Sequence, residues 1–316
     1  MASCDRTTRG ALLGDRSRPT GFARSDKPYT DYTPIFYVRS VLSLLDVLQV
    51  ERAVFVGHSL GALIAQRLML ARPQRVQALT LIAGGLPIVR RTPPQALFTF
   101  LTPGLGEYAY NSLRRSQDAA YETLRPFYFD LDALPDVERA FLRERVWERV
   151  WNEGQQRAFL STLRWMAVEQ ALRADEHARR LATAATPTTI IWGPTTISPH
   201  LASGIALAQH LPAAALHTIA RCGHNPQHER PAELLALLYQ GVLLGPLPRT
   251  SLVHRGRSLL FSAAFGKGVG ASARRIGSPS ALKRQATQCV LSICASYRCR
   301  LRGRRNDRAA PQCAHL

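Results

Sequence analysis

Ser59 lies in the run R-A-V-F-V-G-H-S-L-G-A-L at residues 52–63, flanked by Gly57 and Gly61. Val54 to Val56 are β-branched or aromatic, and apolar residues from Leu60 to Leu70 recur at helical spacing, so the chain must reverse sharply at 57–61. The two glycines remove Cβ atoms that would collide as strand and helix approach. The serine hydroxyl is thereby left at the tip of the turn, in a strained backbone conformation. The five-residue pattern alone is a weak signal, and the strand before it and the helix after it give it weight. An exposed serine hydroxyl is a poor nucleophile near neutrality, so such a site needs an imidazole to take its proton and return it to a leaving group.

The elements that must hold this turn can be read on both sides of it. Residues 1–20 have no clear period and read as an irregular segment. A helix then starts with Thr33 as N-cap and Pro34 at its first position, with Val38, Val41, Leu42, Leu45 and Leu48 on one face. A strand at Ala53–Val56, a helix at Leu60–Leu70 and a strand at Ala78–Ala83 make a βαβ unit, which implies a parallel sheet. Gly84, Gly85 and Pro87 end that strand. About a hundred residues of helical pattern follow, strongest at 137–150 and 155–172 and rich in Tyr, Phe and Trp. They read as an insertion over the carboxyl edge of the sheet. Strands at Thr188–Trp192 and Ala215–Ile219 and a helix at Ala232–Leu244 complete the pattern.

Composition bounds the rest. The chain has 316 residues, 46% of them hydrophobic, which suffices for a sizeable core. Its net charge of +19 suggests nucleic acid until it is located: residues 249–316 hold 14 of the 41 Lys and Arg and one of the 22 acids. Those arginines form no amphipathic stripe, and only Phe261, Phe265 and Tyr297 accompany them, which argues against nucleic acid or an anionic membrane as partner. Residues 247–316 read as a basic, disordered tail. Cys289, Cys294, Cys299 and Cys313 in that tail lack the close pairs of a zinc site, and Cys222 reads as a small buried residue. No apolar segment is long enough to span a bilayer, and residues 1–20 have no secretory core, so the expected location is cytoplasmic.

The order strand, serine turn, helix, strand, helical insertion, strand, strand, histidine loop, helix resembles the α/β-hydrolase fold superfamily. The resemblance rests on G-F-A-R-S-D-K-P at 21–28, G-H-S-L-G at 57–61, I-I-W-G at 190–193 and C-G-H-N-P-Q-H-E-R-P at 222–231. It implies an α/β fold with a parallel sheet covered by helices on both faces. The core would comprise residues 21–86 and 185–246, and a helical cap residues 87–184. It also implies Ser59 as nucleophile, His224 as general base and the backbone N–H of Leu60 as oxyanion donor. No metal or redox cofactor is implied. His58 fills the variable position of the turn, and His228 reads as structural. Tyr108, Tyr110, Phe127, Tyr128 and Trp165 suggest a pocket for a small apolar or aromatic acyl substrate. Serine at the turn argues against the branches that need a carboxylate nucleophile.

Three departures from the family pattern qualify that reading. The family places an Asp three residues after the Gly of W-G to hold the histidine, and here Thr196 stands there. Asp130, Asp132, Asp175 and Glu176 lie in or beside the insertion without an assignable role. The loop that supplies a second oxyanion donor has no counterpart before Gly21, and the early strands are missing, so the strand leading to Ser59 is expected to become a sheet edge. The tail has no counterpart either. The function expected is cleavage of an ester or related acyl bond by a Ser-His pair, with activity reduced or lost. The alternative is a catalytically inactive binding protein of this fold, or a truncated or frame-altered gene product.

Overall fold

The structure is a computed structural model that describes residues 12–17, 19–88, 95–194, 201–243 and 288–294. Six parallel strands form one sheet: β1 (Leu12–Ser17), β2 (Ala53–His58), β3 (Val76–Ile82), β4 (Thr188–Trp192), β5 (Ala214–Thr218) and β6 (Gln288–Cys294), in the order β1-β6-β2-β3-β4-β5. The helices are α1 (Pro34–Val47), α2 (Leu60–Ala71), α3 (Gln95–Leu101), α4 (Leu105–Ser112), α5 (Gln117–Glu122), α6 (Asp136–Trp151), α7 (Glu153–Ala182), α8 (Leu201–His210), α9 (Pro226–Glu229) and α10 (Pro231–Leu243). Thr33 caps α1 as its residue type demands, its hydroxyl accepting from the N–H of Phe36 at 3.0 Å.

Every residue of β2 and of β4 is buried, as strands covered on both faces must be. Side chains alternate across the sheet. Phe55, Leu79, Leu81, Ile190 and Trp192 pack on one face with residues of α1, α2 and α8. Val56, Ile82 and Ile191 pack on the other with Leu234, Leu237 and Leu238 of α10. The inserted helices carry a core of their own, built on Leu142, Val146 and Val150 of α6 with Tyr110, Tyr121, Leu124 and Tyr128. α7 joins both clusters, since its Ala158 and Leu181 belong to the core under the sheet while Phe159 packs against both.

Two expectations are corrected. Leu12–Ser17, inside the segment read as irregular, is an edge strand, and Gln288–Cys294, inside the tail read as disordered, is a strand in the sheet interior. β6 pairs with β1 on one side and with β2 on the other, Ala53 to His58 standing opposite Cys289 to Cys294. The strand that delivers Ser59 is therefore flanked by β6 and β3 and is not an edge. The physical reason is local: C-V-L-S-I-C is an apolar, partly β-branched run within an arginine-rich tail, and it satisfies the backbone groups that β2 would otherwise leave open.

Candidate active site

Ser59 is held at the end of β2 with φ 55° and ψ −114°, a backbone conformation that L residues rarely adopt. Its N–H donates to Ile82 O at 2.9 Å, and its carbonyl accepts from the N–H groups of Ala62 and Leu63 at 3.1 and 3.3 Å, so the turn is bonded to β3 and to the first turn of α2. A Cβ on Gly57 would lie 2.5 Å from the Gly61 backbone, and one on Gly84 would lie 2.4 Å from Ser59 O. The glycines therefore permit the close approach inferred from sequence, with Gly84 after β3 as a third that the motif did not indicate. Leu60 opens α2. Its N–H is one of the first-turn groups that the helix itself leaves unused.

The structure brings His224 to this turn across 165 residues: its Nε2 lies 2.9 Å from Ser59 Oγ. The imidazole is buried, and burial together with the neighbouring His58 holds it down to about 3. If Nε2 accepts from the Ser59 hydroxyl, the ring proton sits on Nδ1, a buried atom without a hydrogen-bond partner among the described residues. Thr196, which the resemblance puts at the position of the acid, lies outside those residues. The turn that leads to it reaches the histidine loop, since a Cβ on Gly193 would fall 2.3 Å from Cys222 O.

The backbone around His224 is fastened from three directions. Its N–H donates to Phe127 O at 2.8 Å, and its carbonyl accepts from His58 Nε2–H at 2.7 Å. The preceding N–H, that of Gly223, donates to Glu229 Oε2 at 2.7 Å. His58 is thus a donor to the histidine loop and not a second base, its imidazole kept at about 4 mainly by burial. His228 donates through Nδ1 to Glu138 on α6 at 3.2 Å, the structural role expected of it. The Cys222 thiol is pushed up to about 12 by burial and the nearby Glu229, which disfavours its thiolate.

Of the five aromatic residues expected in an acyl pocket, only Phe127 packs on the site, its ring 5.7 Å from that of His224. Tyr110 and Tyr128 belong to the core of the cap, which corrects their assignment, while Tyr108 and Trp165 are exposed. Among the acids left unassigned, Asp132 pairs with Arg125, Glu176 pairs with Arg173 and Arg180, and Asp130 accepts from the N–H groups of Asp132 and Ala133. Glu229, five residues after His224 in the same motif, is a further residue of the site; an acid so near the histidine in sequence is the signal that points to it. No group of three metal-ligating side chains occurs among the described residues.

Comparison with known proteins follows the same lines. The profile of the alpha/beta hydrolase fold matches residues 19–231. The 2-hydroxy-6-oxononadienedioate/2-hydroxy-6-oxononatrienedioate hydrolase of Paraburkholderia xenovorans (strain LB400) is 28% identical over 210 residues, 66% of this chain and 68% of that protein. The enzyme of the same name from Cupriavidus pinatubonensis (strain JMP 134 / LMG 1197) is 27% identical over 193 residues, 60% of this chain and 62% of that protein. Among solved structures, the meta-cleavage product hydrolase CumD from Pseudomonas fluorescens IP01 aligns with a TM-score of 0.55 at 22% identity, covering 71% of this chain and 78% of that one. The 2-hydroxy-6-oxo-6-phenylhexa-2,4-dienoate hydrolase from Rhodococcus sp. strain RHA1 aligns with a TM-score of 0.56 at 19% identity, covering 71% and 77%. Both structures share the fold. With two thirds of its length matched in the family's own order, this chain belongs to the alpha/beta hydrolase fold family.

Proposed function

We propose that this chain is a serine hydrolase in which Ser59 attacks a carbonyl carbon of a small apolar or aromatic substrate and His224 moves the proton. The observation that carries the reading is the 2.9 Å approach of His224 Nε2 to a serine hydroxyl held on a left-handed turn between strand and helix. As Oγ bonds to the carbonyl carbon, its proton passes to Nε2, and the Leu60 N–H faces the developing oxyanion. Collapse of that adduct breaks the bond to the leaving group, which takes the proton from Nε2 and leaves an acyl-serine. A water molecule then repeats the sequence and frees the acid. The relatives named above are hydrolases of dienoate ketones, so a carbon–carbon bond beside a carbonyl is a second candidate for the bond cleaved, beside an ester.

An imidazole held at about 3 is a weak base, so turnover through it is expected to be slow. The same observation favours the second reading, a binding protein that keeps the pair without using it. Fluorophosphonate labelling separates the two: labelling that is lost in Ser59→Ala and weakened in His224→Ala supports the hydrolase, and folded protein that stays unlabelled supports the second. Parallel assays with p-nitrophenyl acetate and with a 2-hydroxy-6-oxo-dienoate, followed by loss of its visible absorbance, distinguish the bond. Among the described residues no helix is long and apolar enough to cross a membrane.

A further inference from the structure

We propose that Glu229 is a positioning residue that fastens the cap to the base, bridging the Gly223 N–H of the histidine loop and the Phe129 N–H of the cap through its two carboxylate oxygens. The proposal rests on Ser59 and His224 being the reacting pair. Oε2 accepts from Gly223 N at 2.7 Å and Oε1 from Phe129 N at 2.6 Å, so one side chain ties its own loop to a segment 100 residues before it in the chain. Burial pushes the Glu229 carboxyl above its usual range, and the two backbone N–H donors act in the opposite sense by favouring its charged form.

The bridge is one half of a reciprocal clasp. The same cap segment returns two bonds, since Phe127 O accepts from His224 N at 2.8 Å and from Asn225 Nδ2 at 3.2 Å. A Cβ on Gly223 would lie 2.7 Å from both Phe129 N and Tyr128 C, so the two segments touch backbone to backbone. Arg221 lies over the ring of Phe129 at 5.7 Å, and His228 reaches Glu138 on α6. Residues 127–129 and 221–229 therefore move as one unit. Separating them costs His224 the donor bond that sets its backbone, and with it the alignment of Nε2 on Ser59. Misplacement of a reacting group by about 1 Å costs on the order of a hundredfold in rate. The clasp gives the cap a direct hold on the base, so that a displaced cap leaves a misaligned pair.

Glu229→Gln tests this in the full-length protein, because glutamine keeps the volume but its amide nitrogen cannot accept from a backbone N–H. Two readouts are taken: hydrogen–deuterium exchange in peptides spanning 125–134 and 220–230, and the rate of fluorophosphonate labelling of Ser59. The expected result is faster exchange in both peptides, by about tenfold or more, with labelling slowed by about tenfold to a hundredfold in a protein whose thermal midpoint shows it to be folded. Exchange that changes only in 220–230, or in neither peptide, overturns the coupling. Unchanged labelling beside faster exchange in both overturns the positioning of His224. If wild-type protein is not labelled at all, the Ser-His reading fails, and the exchange of the two peptides alone decides the clasp. Should Glu229→Gln not fold, Phe129→Pro, which deletes the cap-side N–H and leaves the carboxylate in place, is expected to free the cap peptide and slow labelling in the same sense.

Discussion

Restoring a carboxylate at position 196 should convert a poor base into a competent one. His224 is held down to about 3 by burial and by His58. Against an ordinary imidazole near 6.5 that gap corresponds to roughly 5 kcal/mol opposing the imidazolium that must form when Ser59 gives up its proton. The buried Nδ1 has no hydrogen-bond partner among the described residues, so none of those residues holds a charge bonded to it. The resemblance puts Thr196, three residues past Gly193, at the position of the acid, and a threonine hydroxyl offers no charge. Loss of the acid in comparable triads costs on the order of 10^4 in turnover. Thr196→Asp is therefore expected to raise kcat on p-nitrophenyl acetate by about 10^2 to 10^4, with KM little changed. In NMR titrations the His224 ring should move from well below its ordinary range to near or above it. Two outcomes would refute the reasoning: folded Thr196→Asp protein with unchanged turnover, or a faster variant whose His224 titration has not moved. In the second case the aspartate would be acting by some other route.

Four further outcomes are expected. His58 and His224 are neutral in the fold at about 4 and about 3 but titrate near 6.5 when unfolded, so between about pH 6.5 and 4 the unfolded chain binds more protons and stability falls with falling pH, by up to about 1.4 kcal/mol per pH unit for each group; His58→Gln should shallow that slope in urea titrations by about one proton. Gly84→Ala places a Cβ 2.4 Å from Ser59 O and should cost about 1–3 kcal/mol in thermal unfolding while slowing Ser59 labelling, so normal values of both would contradict the close approach. Arg67 and Glu169 pair with side chains only 11% and 12% exposed, and Arg67→Met should destabilise by about 3 kcal/mol in urea unfolding, most of it recovered by adding Glu169→Leu. Removing residues 247–316 takes β6 from between β1 and β2, and light scattering should show aggregation from the exposed edge of β2; a monomeric, cooperatively folded truncation would contradict the strand order.

The parts of the fold that are legible in the sequence are those whose signal is local. Thr33 and Pro34 fix the start of α1 to the residue, and the apolar runs of β2, β4 and β5 fall within two residues of their observed limits. β3 begins at Val76, two residues before its apolar run, because pairing with Ala53 recruits the polar Gln77 into the strand. α7 runs on to Ala182, past the periodic stretch at 155–172, held there by His177 donating to Pro87 O and Arg180 donating to Leu70 O. β6 was not legible. A seven-residue run in an arginine-rich tail gives no indication that it inserts beside a strand more than two hundred residues earlier, because parallel pairing leaves no periodic mark in the sequence between.

A similar distinction runs through the site. Ser59 and His224 were readable as residue types in motifs, whereas what aligns them is backbone: Phe127 O, Gly223 N–H and the His224 carbonyl are groups every residue carries, and composition cannot reveal them. The alignment of the pair therefore does not depend on the acid. His224 is anchored by Phe127, His58 and Glu229 whatever stands at position 196, so a 2.9 Å Ser-His distance would persist through loss of the carboxylate. Geometry and competence thus report on different parts of the sequence. The distance reports on the contacts between cap and histidine loop, and the low proton affinity of His224 reports on its burial and on the neighbouring His58. Only experiments that vary the two separately, Thr196→Asp for the charge and Glu229→Gln for the clasp, can assign the rate to its cause.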